Sequence, residues 1–245
     1  MSILRVQMVR QKERASHPKE QPQSEASAAP PLNTGDHLSR AEFERRYEAH
    51  PEIKRAELIE GVVYMPAAVR FHEHGRPHSD LIGWLTTYRA ATTGVWVGDN
   101  ATVRLDYANE VQPDALLRLA SAHGGNSHVG EDGYLEGPPE LIVEVAASSA
   151  AYDLHDKRKV YQRSGVLEYL VLQMYERRAV WFVLREGVYE PLEPDADGVL
   201  HSEVFPGLAL QPAAIWSGDM ATLLSTLQTG LESPAHTEFV ERLSD

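Results

Sequence analysis

A carboxylate in the middle of an apolar run is the first chemical signal in this chain. The segment Glu140-Leu141-Ile142-Val143-Glu144-Val145-Ala146 is bounded by Gly137-Pro138-Pro139 before it and Ser148-Ser149 after it. It reads as a strand covered on both faces. An ionised glutamate there loses its water and needs positive charge to compensate it. Lys157 follows thirteen residues later, and Pro113-Asp114 stands thirty residues earlier, at the head of another apolar stretch. Two carboxylates and a lysine that converge at adjacent strand ends can hold a divalent cation against a phosphodiester.

Each of these residues also has a plainer reading. Proline suits a strand start, where no ladder donor is needed, so Asp114 alone reads equally as a strand-start aspartate. Alternation puts Leu141, Val143 and Val145 on one face and Ile142, Glu144 and Ala146 on the other. Glu144 alone reads either as a site residue or as a glutamate paired with an arginine at a sheet edge. Lys157 lies four residues from both Asp153 and Tyr161, on one helix face, which an ordinary exposed ion pair would also explain. Lys157, Arg158, Lys159 and Arg163 form the densest basic run outside the N-terminal region, where a phosphate backbone would lie. Glu57 and Glu60 flank Leu58 and Ile59, and either can supply a further acid or hold a catalytic group. His72, His74 and His78 fall in a segment containing Gly75 and Pro77, fit no standard zinc spacing, and read as a solvated loop. No Walker, Rossmann or Gly-x-Ser-x-Gly pattern is present.

The elements that must position these residues are readable in outline. Ser39-Arg40-Ala41-Glu42 is a capping box that opens a helix to about His50. Residues 57–65 read as a strand turning at Glu60-Gly61. An amphipathic helix over 77–92 places Leu81, Trp84, Leu85 and Tyr88 on one face, with Gly94 as its stop. Strands follow near 95–98, 101–106 and 113–119, and the Gly-rich stretch 121–139 reads as a long exposed loop. After the Glu144 strand come a helix over 152–164 closed by Gly165, strands over 168–173 and 179–184, and a turn into 188–192. Asp219 caps a last helix that ends at Gly230. This order predicts one α/β unit, a central mixed sheet flanked by helices. Residues 1–35 read as a disordered tail, 36–230 as the folded domain, and 231–245 as weakly ordered.

Composition narrows the classes. The 245 residues are 42% hydrophobic and 24% charged, ordinary for a soluble globular chain. No apolar run reaches the roughly 18–20 residues that span a bilayer, and the N-terminus has no apolar signal region. The absence of cysteine excludes disulfides and thiolate chemistry and fits a cytoplasmic protein. Net charge is −13, and the first twenty residues are basic, so the remaining body is more acidic still. Contact with DNA then requires a concentrated basic patch.

The ordered series resembles the Uma-two family. It comprises Glu57-Leu58-Ile59-Glu60-Gly61, Pro77-His78, Gln112-Pro113-Asp114, Pro139 through Val145, Asp153-x-x-x-Lys157-x-x-x-Tyr161, Gly165-Val166-x-Glu168-Tyr169 and Phe205-Pro206-Gly207-Leu208. That family consists of bacterial proteins described as restriction endonucleases with the PD-(D/E)XK nuclease fold, and the likeness covers about residues 38–220. The resemblance implies that Asp114, Glu144 and the Val145 carbonyl bind Mg²⁺ or Mn²⁺. It implies that Lys157, shifted from the strand position held here by Ala146 to the following helix, is catalytic. It places Glu60 in the first acidic motif and His78 at a helix start. The implied partner is duplex DNA, and enzymes of this fold often act as homodimers. Two other readings stand beside it: a catalytically inactive module that binds DNA or protein, and a small-molecule phosphohydrolase.

Overall fold

Local signals set most of the elements. In the computed structural model, which describes residues 29–66, 68–147 and 153–244, the Ser39 side chain accepts from the Glu42 N–H and opens helix α1 (Arg40–Ala49). Such a cap meets one of the donors a helix start leaves unpaired. Strands β1 (Glu57–Ile59) and β2 (Val62–Tyr64) form a hairpin. Its turn residues Glu60 and Gly61 have φ of 51° and 76°, the left-handed pair that a two-residue hairpin turn needs. Helix α2 (Arg76–Ala91) buries Leu81, Trp84, Leu85 and Tyr88, the stripe its 3.6-residue period dictates.

Seven strands follow: β3 (Val95–Asp99), β4 (Val103–Asp106), β5 (Asn109–Val111), β6 (Ala115–Leu119), β7 (His128–Val129), β8 (Leu135–Glu136) and β9 (Leu141–Ala146). A π-helical turn, Asp153–Lys157, leads into α3 (Arg158–Ser164), which ends at Gly165. Next come β10 (Glu168–Gln173), β11 (Arg178–Arg185), β12 (Val188–Pro191), and a ribbon of β13 (Leu200–His201) and β14 (Ala209–Leu210). Helices α4 (Pro212–Ser217), α5 (Met220–Leu231) and α6 (Pro234–Ser244) close the described chain.

The expected mixed sheet is present, in the order β12-β11-β10-β9-β6-β3. Its central pair β9–β10 is parallel, and each of the two has an antiparallel neighbour on its other side. Where the sequence suggests one sheet, the structure has a second, β2-β1-β5-β4-β8-β7. The difference arises because β5, β7 and β8 are two or three residues long, too short to show a period-2 pattern. The last two lie inside the stretch that reads as loop.

Alternation along β9 divides the core. Leu141, Val143 and Val145 pack with α2, α5 and α6, while Ile142 and Ala146 pack with α3, β10 and residues of the second sheet. Glu144 therefore points to the α3 side.

Both expected domain edges shift outward. Residues 1–28 lie outside the described residues, but Leu32 is buried against Phe43, Ala56, Leu58 and Val63. At the other end, the segment expected to be weakly ordered forms α6, with Phe239 and Leu243 in the main core. His236 fastens it, its ring 2.9 Å from Thr92 Oγ1 and 2.9 Å from the Leu231 carbonyl. The signal is an i,i+4 apolar pair, Phe239 and Leu243, on a short segment with few other apolar residues, which becomes significant only when a surface exists to cover it. Among the described residues, no helix is long and apolar enough to cross a membrane.

Candidate active site

Antiparallel pairing brings Asp114 to the end of β9. Ala115, the first residue of β6, pairs with Val143, so Asp114 lies beside the last residues of β9. There its Oδ2 accepts the Val145 N–H at 2.8 Å. A strand residue carries its N–H and C=O on the same edge, so the Val145 carbonyl is turned to this side too, where β6 has not yet begun.

Glu144 faces the other way, toward α3. Its Oε1 accepts from Lys157 Nζ at 2.8 Å and from Tyr161 Oη at 3.0 Å. Lys157 closes the π-helical turn, and Tyr161 stands four residues on, so both reach the same carboxylate. The Lys157 ammonium also donates to Glu57 Oε1 at 3.0 Å, and that oxygen accepts the Gln112 N–H at 2.7 Å. Asp114, Glu144 and Lys157 are 3%, 3% and 2% exposed, yet they are not sealed under hydrocarbon. All three line one cavity of about 430 Å³, with Arg55, Glu57, His74 and Val145, a size within the range of ligand sites.

Two more basic side chains meet Asp114. Arg55 Nη1 lies 3.1 Å from Oδ1, and the same guanidinium donates to the Gln112 carbonyl. His74 Nε2 lies 3.1 Å from Oδ2. His78 supports the backbone: its Nε2 is 3.0 Å from the Asp114 carbonyl and 3.1 Å from Asp99 Oδ1. Both partners are acceptors, so that nitrogen carries the proton. Burial by itself raises the Asp114 pKa, but the His74 hydrogen bond and charge, the Arg55 charge and the Val145 N–H hold it well below the usual carboxylate range. Asp114 is therefore ionised throughout the neutral range.

The expected trio of Asp114, Glu144 and Lys157 comes together; Glu60 does not join it. Glu60 sits in the exposed hairpin turn, 2.8 Å from Arg163 and outside the cavity. Besides Glu144, the acid of this segment that meets Lys157 is Glu57, the first residue of β1. The plainer reading of Lys157 as a solvated surface cation also fails, since its side chain is buried between two carboxylates. Arg55 went unnoticed in the sequence, and His74, which reads there as part of a solvated loop, instead lies in a helical turn, Phe71–Gly75, that leads into α2 and sets the imidazole against Asp114. Their only signals are short spacings, Arg55-x-Glu57 on an extended segment and His74-x-x-x-His78 leading into a helix.

The donor chemistry fits a hard divalent cation. Asp114, Glu144 and the Val145 carbonyl offer oxygen only, as Mg²⁺ and Mn²⁺ prefer. Among the described residues no group of three or more His, Asp and Glu is arranged as a metal cage. Mg²⁺ ordinarily takes one or two carboxylates and completes its shell with water and substrate oxygens, so two carboxylates suffice.

Comparison with known proteins agrees with this architecture. The family model Uma2, described as "Putative restriction endonuclease", matches residues 40–213. No curated protein matches. Among solved structures the chain is similar to "a putative nuclease belonging to DUF820" from Anabaena variabilis. That likeness has a TM-score of 0.56 at 14% identity and covers 74% of this chain and 98% of that one. At such identity it speaks for the fold.

Proposed function

The chain belongs to the Uma2 family and has a restriction-endonuclease-like fold, and from that premise we propose that it is a divalent-metal-dependent endonuclease hydrolysing DNA phosphodiester bonds. The observation that carries this reading is convergence. Asp114, Glu144 and Lys157 come from three separate segments, the start of β6, the end of β9 and the turn before α3, and meet at one cavity. Carboxylates buried beside a cavity with a charge partner are a recurrent mark of functional sites.

Asp114, Glu144 and the Val145 carbonyl would hold Mg²⁺ or Mn²⁺. Bound there, such an ion supplies an acidified water and charge neutralisation at the scissile phosphate. The protein's own groups do the rest. In the metal-free protein Val145 N–H, His74 and Arg55 fix the Asp114 carboxylate and keep it ionised. Lys157 offsets the repulsion between Glu57 and Glu144 and presents a cation where negative charge grows on the phosphoryl oxygens. Tyr161 orients Glu144 through its hydroxyl. Arg70, at the wall of the cavity, offers a first contact for a backbone phosphate despite the acidic body.

A second reading is a non-catalytic module of the same fold. It is favoured by the ion pairs that Asp114 and Glu144 already make within the chain. Nicking of supercoiled plasmid in Mg²⁺ or Mn²⁺ separates the two. The endonuclease reading expects cleavage that falls at least ~100-fold in Glu144→Ala and Lys157→Ala, the scale of losing one preorganised electrostatic group. Equal cutting by wild type and both variants would overturn the assignment.

A further inference from the structure

Arg55 occupies an unusual position. It lies two residues before Glu57, the first residue of β1, so an extended backbone sends both side chains to one face. Its guanidinium bridges Asp114 Oδ1 and the Gln112 carbonyl. Burial lowers its pKa, but the charges of Glu57, Asp114 and Glu144 together raise it overall. One cation thus contacts Asp114 and feels the charge of all three carboxylates of the site.

Two further facts bear on how firmly it sits. Among the described residues, the buried Arg55 Nε has no hydrogen-bond partner, so the fork is only partly satisfied in this pose. Arg55 also lines a second cavity of about 560 Å³, shared with His74 and bounded by Lys54, His78 and Asn100. The side chain stands between the acidic cavity and an open neighbour.

Charge balance gives the consequence. Among the described residues, and leaving the imidazoles aside, Glu57, Asp114 and Glu144 face Lys157 and Arg55, one net negative charge. A divalent cation entering beside Arg55 would make the cluster net positive by one. A divalent cation entering in place of Arg55 leaves it neutral. In a poorly solvated site the second exchange is the favoured one.

We propose that Arg55 is a displaceable internal counter-ion, which holds the Asp114 carboxylate in the metal-free protein and turns into the adjoining cleft when a divalent cation binds. This rests on the metal-dependent reading above and adds a competitor built into the same site. Divalent-cation affinity is then set by the contest with Arg55 as well as by the oxygen ligands.

The test is calorimetric titration of Mn²⁺ into the full-length protein, without DNA, for wild type, Arg55→Gln, Arg55→Lys and Asp114→Asn. Thermal melts check that each variant is folded. Arg55→Gln should bind Mn²⁺ at least ~10-fold more tightly than wild type, a free-energy difference of about 1.4 kcal/mol. Arg55→Lys, which keeps the charge but loses the fork, should fall between them, and it carries the test if Arg55→Gln does not fold. If wild type binds Mn²⁺ through Asp114 and the folded Arg55 variants bind equally or more weakly, the counter-ion role is overturned and the endonuclease reading stands. If neither wild type nor the Arg55 variants show binding that Asp114→Asn removes, the metal-dependent reading itself fails and takes this inference with it.

Discussion

Glu168 at the start of β10 is as deeply buried as Glu144 near the end of β9, at 0% and 3% exposure, and the two strands are parallel neighbours. Their surroundings differ. Glu168 accepts from Ser202 Oγ at 2.7 Å and from the N–H groups of Glu203 and Val204 at 2.7 and 3.1 Å. Those donors are neutral and belong to one loop. Glu140, at the same end of β9, likewise takes the N–H groups of Leu119 and Asn126, both at 2.7 Å. Glu144, at the opposite end, is met by an ammonium and a phenol beside a cavity. A carboxylate tied by backbone donors has a fixed partner set and serves to pin a loop. A carboxylate tied by side-chain cations next to open space can exchange one cation for another. The carboxyl ends of parallel strands are where α/β sheets commonly place ligands, and this chain follows that rule with its acids sorted by end.

The sharpest test of that contrast removes the central cation. Lys157→Met leaves Glu57 and Glu144 without their shared ammonium and should cost about 3–5 kcal/mol in urea unfolding, the usual scale for half of a buried ion pair. Excess Mn²⁺ should restore part of the loss. Glu168→Leu should destabilise through its orphaned loop donors, with no recovery in Mn²⁺. Equal recovery in both would erase the difference between the two ends.

Next in size is a pH effect at the loop-pinning end. Burial pushes Glu168 up from 4.5 to about 7, against the hydrogen bonds from Ser202, Val204 and Glu203. The folded state then keeps a proton that the unfolded chain releases. Glu168 accordingly contributes stability that is complete below about pH 4.5 and lost as pH rises to about 7, a change of about 3 kcal/mol. Urea unfolding across that window should show the fall in wild type and a flatter profile in Glu168→Gln. A wild-type curve without the Glu168-dependent fall would show the carboxylate to be ionised in its pocket.

The smallest effect compares single donors. Tyr161→Phe and Ser202→Ala each remove one hydroxyl from a buried glutamate, and each should cost about 1 kcal/mol. Only Tyr161→Phe should also change Mn²⁺ affinity and plasmid nicking. A matching change in Ser202→Ala would mean that the two ends of the sheet are coupled.

Much of the fold is legible from local pattern. The Ser39 cap, the stripe on α2, the stop at Gly165 and the alternation in β9 are short-range rules, and the structure obeys each. The second sheet and α6 were not legible, because very short strands and a sparse apolar pair gain meaning only from the surfaces that cover them. In the site, Glu144 is conspicuous because charge interrupts an apolar strand. Arg55 and His74 interrupt nothing, and their importance arises from Asp114, which is remote from both in the chain.

The chain alone determined which residues are out of place and on which face of β9 each lies, because backbone periodicity is a local property. Only the tertiary structure decided that Glu57 rather than Glu60 meets Lys157, and that Arg55 stands against Asp114. Those pairings depend on how one sheet docks against the end of another, and electrostatic partners are chosen by distance in space.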